Sequence, residues 1–186
     1  MILTPLINNP SNSSEAVFGF LHTALSIGLV IPEDVILWAD AQILKQNVPD
    51  IVLIELSLCD ISTPQKMLFI LDDYLNYDTS ACPIRAFFCY FHHTYTTAAH
   101  TTQEVDRYLW QLRNLPTITE TELEFIYWLN DAIDLHNYHS IDFQQALQHF
   151  LQLYQNYTLD HHEQWPEFDK QINLALSNNQ HLRDIT

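Results

Sequence analysis

Glycine is almost missing from this sequence: 186 residues contain two, Gly19 and Gly28, where an average chain carries about 7%. Hairpins and tight sheet turns rely on glycine to reach positive φ, so the scarcity argues against a sheet protein and for helices joined by Pro, Asn, Ser and Thr. It also leaves no room for a dinucleotide fingerprint or a phosphate-cradling loop. No GxSxG elbow occurs either.

Basic residues are the second shortage. Seven Lys and Arg face 23 Asp and Glu, for a formal net charge of −16. A nucleic-acid binder needs the opposite sign to displace counterions from phosphates, and an anionic membrane surface is disfavoured on the same ground. Such a charge either keeps the chain soluble or prepares it for a basic protein partner, since −16 exceeds the magnitude of about 2–8 usual for a small domain.

Cysteine is sparse as well. Cys59, Cys82 and Cys89 form no metal or disulfide spacing, and an odd count without an apparent leader points to reduced thiols in the cytoplasm. The opening "MILTPLINNPSNSSEAVFGF" has no cationic segment ahead of its apolar residues, so no secretory leader is expected. No uncharged apolar run approaches the roughly 18 residues of a membrane span. Cys82 and Cys89 lie in apolar surroundings without a flanking base and read as core thiols.

What is present is helical. Hydrophobic residues make up 47% and aromatics 12%, a globular composition. "NSSEAVFGFLHTALSIGL" predicts a helix starting at Ser13 or Ser14, burying Val17, Phe18, Leu21, Ala24 and Leu25, with Gly28 ending it. "IPEDVILWADAQILKQ" places Pro32 in a first turn and Glu33 and Asp34 at the positive end of the helix dipole. Its expected core stripe is Val35, Ile36, Ala39, Ile43 and Leu44. "VPDIVLIELSLCD" begins a short helix near Asp50, and "STPQKMLFILDDYLNYD" predicts a stripe of Met67, Leu68, Leu71, Tyr74 and Leu75.

Further along, "CPIRAFFCYFHHTYTT" is apolar all round from Phe87 to Phe91, as a central helix should be. Two capping boxes follow, Thr101 to Glu104 and Thr119 to Glu122. "SIDFQQALQHFLQLYQNY" carries Phe143, Ala146, Leu147, Phe150, Leu151 and Tyr154 on one side, and a last helix follows Trp165-Pro166. The expectation is an all-α chain, one domain over residues 1–186. Its eight or nine antiparallel helices would form a bundle or layered helical hairpins. The stretch after Tyr157 is the candidate boundary, with nothing in it to suggest a second domain.

Three groups of side chains could carry chemistry. Asp40 sits at the edge of a core stripe beside Trp38; the structural expectation is a carboxylate accepting a hydrogen bond from a neighbouring helix terminus, with Trp38 as a packing anchor. His92, His93, His100 and Glu104 have the helical spacing that some zinc or di-metal sites use, although no HExxH or paired ExxH motif accompanies them. They define the alternative of a metal-dependent hydrolase or metal-binding protein. The third group is the most specific. On the helix after Thr119, Glu120, Glu124, Tyr127, Asp131 and Asp134 fall within a strip about 80° wide, opposite Phe125, Ile126, Leu129, Ala132 and Ile133. Four acids and a tyrosine share the strip with no base on that helix, and like charges at i, i+4 repel. A smaller acidic patch, Asp72, Asp73, Tyr77 and Asp78, ends the fourth helix, where acids oppose the dipole. Both patches are candidate contacts for a basic partner.

The run "ALSIGLVIPEDVILWADAQI" followed by "LIELSL", together with the acidity, resembles small α-helical immunity proteins of contact-dependent and other polymorphic toxin systems in bacteria. The resemblance covers about Leu25 to Leu58 and rests on Trp38, Ala39, Asp40 and Glu55 to Leu58. It implies a cytoplasmic inhibitor that binds the C-terminal domain of a toxin, in many such systems a basic nuclease. It implies no enzyme activity, no catalytic residue and no cofactor. Beside the inhibitor stand the metal-site alternative and an adaptor whose charge serves solubility alone. A chain with this aromatic content can also pair with itself.

Overall fold

The computed structural model describes residues 14–75, 84–97, 101–115, 118–135 and 143–178. Every regular element among them is helical. The chain divides into two compact units, Met1–Cys82 and Pro83–Thr186.

The first unit holds α1 (Ser14–Ser26), α2 (Pro32–Ile43), α3 (Ile51–Ser57) and α4 (Pro64–Tyr74). Helix α1 buries Val17, Phe18, Leu21, Ala24 and Leu25, as its periodicity predicts, together with Ala16 and Phe20. It stops at Gly28, whose φ of 69° lies in the left-handed region that glycine enters without a Cβ penalty. Leu29 N donates to Ala24 O (2.8 Å) and Gly28 N to Leu25 O (3.2 Å). Those are the two bonds of a Schellman end, with Leu29 and Ala24 both buried beneath it.

Helix α2 starts at Pro32, and Asp50 caps α3 by accepting from Val52 N. The buried face of α2 is Val35, Trp38, Ala39 and Gln42, rotated from the expected stripe; Ile36 and Ile43 are half-buried and Leu44 is exposed. The large Trp38 ring gains most from burial and turns the helix towards itself, edge-on to Phe18 at 6.1 Å. On α4, Met67, Leu71 and the following Leu75 are buried, while Leu68 and Tyr74 are half-buried. Helix α2 packs on α3, α3 on α4, and α4 on α1.

The second unit contains α5 (Ile84–Thr97), α6 (Thr102–Leu112), α7 (Glu120–Leu135), α8 (Phe143–Gln152), a 3-10 turn (Leu159–Gln164) and α9 (Trp165–Asn178). Ile84 to Phe91 are all buried, so α5 is the enclosed helix its composition predicts. Its Phe88 meets Phe150 (5.1 Å) and Tyr154 (4.7 Å), and Phe150 stacks on Phe125 of α7 (4.4 Å). The whole predicted stripe from Phe143 to Tyr154 is buried. The stretch after Tyr157 packs within this unit: Tyr157 and Leu159 are buried, and Tyr157 stacks on Trp165 at 5.0 Å.

A buried ionic network ties these helices together. Glu122 on α7 is fully enclosed, and Arg85 on α5 nearly so. Arg85 Nε donates to Glu122 Oε1 (2.8 Å), Nη1 to Asp169 Oδ1 of α9 (2.6 Å) and Nη2 to Asn173 Oδ1 (2.5 Å). Tyr154 OH also donates to Glu122 Oε1 (3.1 Å), and Tyr157 OH to Asp169 Oδ1 (3.1 Å). The other Glu122 oxygen, Oε2, closes the predicted capping box with Thr119 N (3.1 Å) and Oγ1 (2.7 Å). Burial works against the Arg85 charge, but Glu122 and Asp169 outweigh it and raise its pKa above the ordinary value. Burial and the Glu122 charge hold the Tyr154 phenol well above the usual range.

Two stability outcomes follow, both measurable by chemical denaturation with circular dichroism. Gly28→Ala meets no steric neighbour yet forces an L residue to positive φ, for a loss of about 1 kcal/mol. Glu122→Gln leaves a buried guanidinium short of one counter-charge, and the expected loss is about 3 kcal/mol. The exposed control Asp131→Asn should stay within about 0.5 kcal/mol of wild type.

Candidate protein-binding face on helices α6 and α7

The acidic strip is built by one register. With Phe125, Ile126, Leu129 and Ala132 buried, the opposite side of α7 must face solvent, and Glu120, Glu124, Tyr127 and Asp131 are all exposed. Asp134 continues the helix; its side chain lies outside the described residues. The capping box fixes where α7 begins, and Glu122, within that first turn, anchors it through Arg85. The strip is therefore a rigid surface, not a loop.

Helix α6 packs against α7 and adds what sequence reasoning left out. It buries Val105, Leu109 and Leu112, which turns Trp110 outward; Trp110 is 55% exposed and Tyr127 48%. Arg113, the C-cap of α6, lays its guanidinium on the Trp110 ring, 3.0 Å from the centroid, and 5.6 Å from that of Tyr127. Both separations are within cation–π range. A bond from Asn130 Nδ2 to Asp106 Oδ1 (2.7 Å) fastens the two helices in this register. Although α7 carries no base of its own, α6 thus brings one to the strip's tyrosine. The available signal was a Trp one residue off the apolar stripe with an Arg three residues on.

The second acidic patch is divided. Asp72 accepts from His22 Nε2 of α1 (2.9 Å) and is half-buried, whereas Asp73 is exposed. Tyr77 and Asp78 lie outside the described residues. Asp40 accepts from Ser57 Oγ, at the C-terminal end of α3, which is the helix-terminus bond expected of it, although the aspartate is exposed rather than buried. Trp38 is fully packed.

The alternative metal donors are differently engaged. Glu104 Oε2 accepts from Thr101 N (2.8 Å) and Oγ1 (2.9 Å) in its capping box. His92 and His93 are half-buried neighbours with ring centroids 5.6 Å apart; His100 lies outside the described residues. Among the described residues no three His, Cys, Asp or Glu side chains converge as metal donors. Burial pushes the Cys89 thiol up to about 12 and raises that of Cys59, so neither is a ready thiolate. A concavity of about 240 Å³, lined in part by Leu153, Asn156, Phe168 and Gln171, holds no acid–base pair, and the Tyr157 hydroxyl at its wall is bound to Asp169.

The two histidines give this unit a pH dependence. Burial lowers the pKa of both below 6.5, with the His93 charge adding to the effect on His92, and His92 Nδ1 is buried without a protein partner. The unfolded chain then binds protons more readily than the folded one, so stability is complete above pH 6.5 and declines as pH falls through the folded values. Thermal melts should show Tm falling below pH 6.5, and His92→Gln with His93→Gln should flatten that slope. The chain matches no protein-family model, no curated protein and no solved structure, so the reading of this face rests on its own geometry.

Proposed function

We propose that this chain is a non-enzymatic inhibitor that captures a basic protein domain on the α6–α7 face. The observation that carries the reading is the Trp110–Arg113–Tyr127 cluster, its two rings exposed, beside a strip of acids. Trp, Tyr and Arg are the residues that dominate binding energy when a partner excludes water around them. Glu120, Glu124 and Asp131 would supply the ring of charge. Exposed acids on one helix face attract positive charge, so the face favours a basic partner over a neutral one. Complementary charge also speeds capture, to as much as about 10⁸–10⁹ M⁻¹s⁻¹ at low salt, which suits an inhibitor that must outrun its target.

Joined with the resemblance over Leu25 to Leu58, this supports reading the chain as an immunity protein that neutralises a bacterial toxin domain, with a nuclease as the natural basic target. Action in the cytoplasm belongs to the same proposal. The matching segment lies in the first unit, apart in sequence from the binding face. Its Trp38 and Ala39 are core residues, so it would support the fold and not the contact.

The test is capture of the inactive C-terminal fragment encoded by the gene immediately upstream, across a salt series. Binding should weaken steeply with salt. Trp110→Ala or Tyr127→Ala should each weaken it roughly 30-fold or more, and Glu124→Lys with Asp131→Lys should abolish it. Full affinity in those variants, or indifference to salt, would remove the face from the reading.

A further inference from the structure

We infer that the solvent face of the α2–α3 hairpin is a self-association surface that pairs two copies of this chain. Helix α2 turns Leu37 and Leu44 outward, and α3 does the same with Ile51 and its C-cap Leu58. Each pair is spaced i, i+7, two turns of helix, which brings side chains back to one face about 10.5 Å apart. Val48 precedes α3 and Ile61 follows it. All six side chains are exposed, Leu44 at 88% and Leu58 at 75%. The hydrogen bond between Asp40 and Ser57 sets the two helices side by side, so both pairs flank one seam.

Area argues for a macromolecular occupant. From their fractional exposures the six residues together present an area comparable to the ~800 Å² that one partner contributes to a standard interface. Composition argues for a second copy. Leu, Ile and Val are characteristic of homodimer cores, whereas faces for separate partners favour Trp, Tyr and Arg, as α6–α7 does. The exposed acids Glu33, Asp40 and Glu55 lie among the apolar side chains here. Shape points the same way. The matched i, i+7 spacing on both helices of an antiparallel hairpin lets a two-fold axis lay one apolar pair on another, closing a four-helix layer.

This surface belongs to the first unit and the proposed partner-binding face to the second, and salt distinguishes their two associations. Dimerisation joins two chains of formal charge −16, so added salt screens their repulsion and should tighten the dimer, while capture of a basic partner loosens.

Sedimentation equilibrium of the full chain over a concentration and salt series tests the inference. The expected result is twice the chain mass at micromolar concentration, and the single chain mass for Leu44→Asp with Leu58→Asp. Both positions are exposed, so the variant should keep wild-type helical circular dichroism, and Trp110→Ala should still dimerise. A wild-type chain that stays monomeric to about 100 µM would overturn the inference. So would a Leu44→Asp, Leu58→Asp variant that remains dimeric, or one that loses capture of the basic partner instead of its own pairing.

Discussion

The second unit depends on one carboxylate. Glu122 has no exposure to water, and its two oxygens face different tasks. Oε2 satisfies the orphan N–H at the start of α7, while Oε1 receives Arg85 and Tyr154. A capping residue ordinarily serves its own helix alone. Here the same side chain fixes the angle of α7 against α5, and Arg85 carries the constraint on to Asp169 and Asn173 of α9. A buried ion pair contributes little net stability over an apolar pair, but breaking it is costly. Its effect is therefore on register: in the packing of Phe88 on Phe150 the Arg85 and Glu122 charges are matched, and any rotation of α7 that separates them leaves a buried charge unpaired.

That constraint reaches the surface. Because α7 cannot rotate without unpairing Glu122, the strip of Glu120, Glu124, Tyr127 and Asp131 is held outward, and α6 follows through Asn130 and Asp106. The proposed binding face is preorganised, which would lower the ordering cost of capturing a partner. A chain with seven bases also spends them selectively. Arg85 is spent inside, and Arg113 is laid between two exposed aromatic rings, where it adds polarisable cationic surface to an otherwise acidic face.

The helices were legible because local chemistry decides them. Thr101, Thr119, Asp50, Pro32 and Gly28 each meet a backbone need that arises within a few residues, and each sits where the pattern puts it. The stripe of α8 was equally readable, since its alternatives were Gln and His. The face of α2 was not. Ile36, Ile43 and Leu44 are as apolar as Val35, and only the neighbouring helices determine that Trp38 and Gln42 turn inward while Leu44 turns out.

The sequence by itself determined an all-helical, strongly acidic chain, where most of its helices begin and end, and which side of α7 carries its acids. These follow from hydrogen bonds and periodicities that span one or two turns. Tertiary structure alone decided that Glu122, spaced as an ordinary capping residue, would be the buried partner of an arginine 37 residues away. It alone decided that Trp110 and Arg113 would join Tyr127, and that Leu37, Leu44, Ile51 and Leu58 would be left uncovered. The physical reason is common to all three. Burial and ion pairing depend on which surfaces are brought together, and one helix's periodicity carries no record of its neighbours.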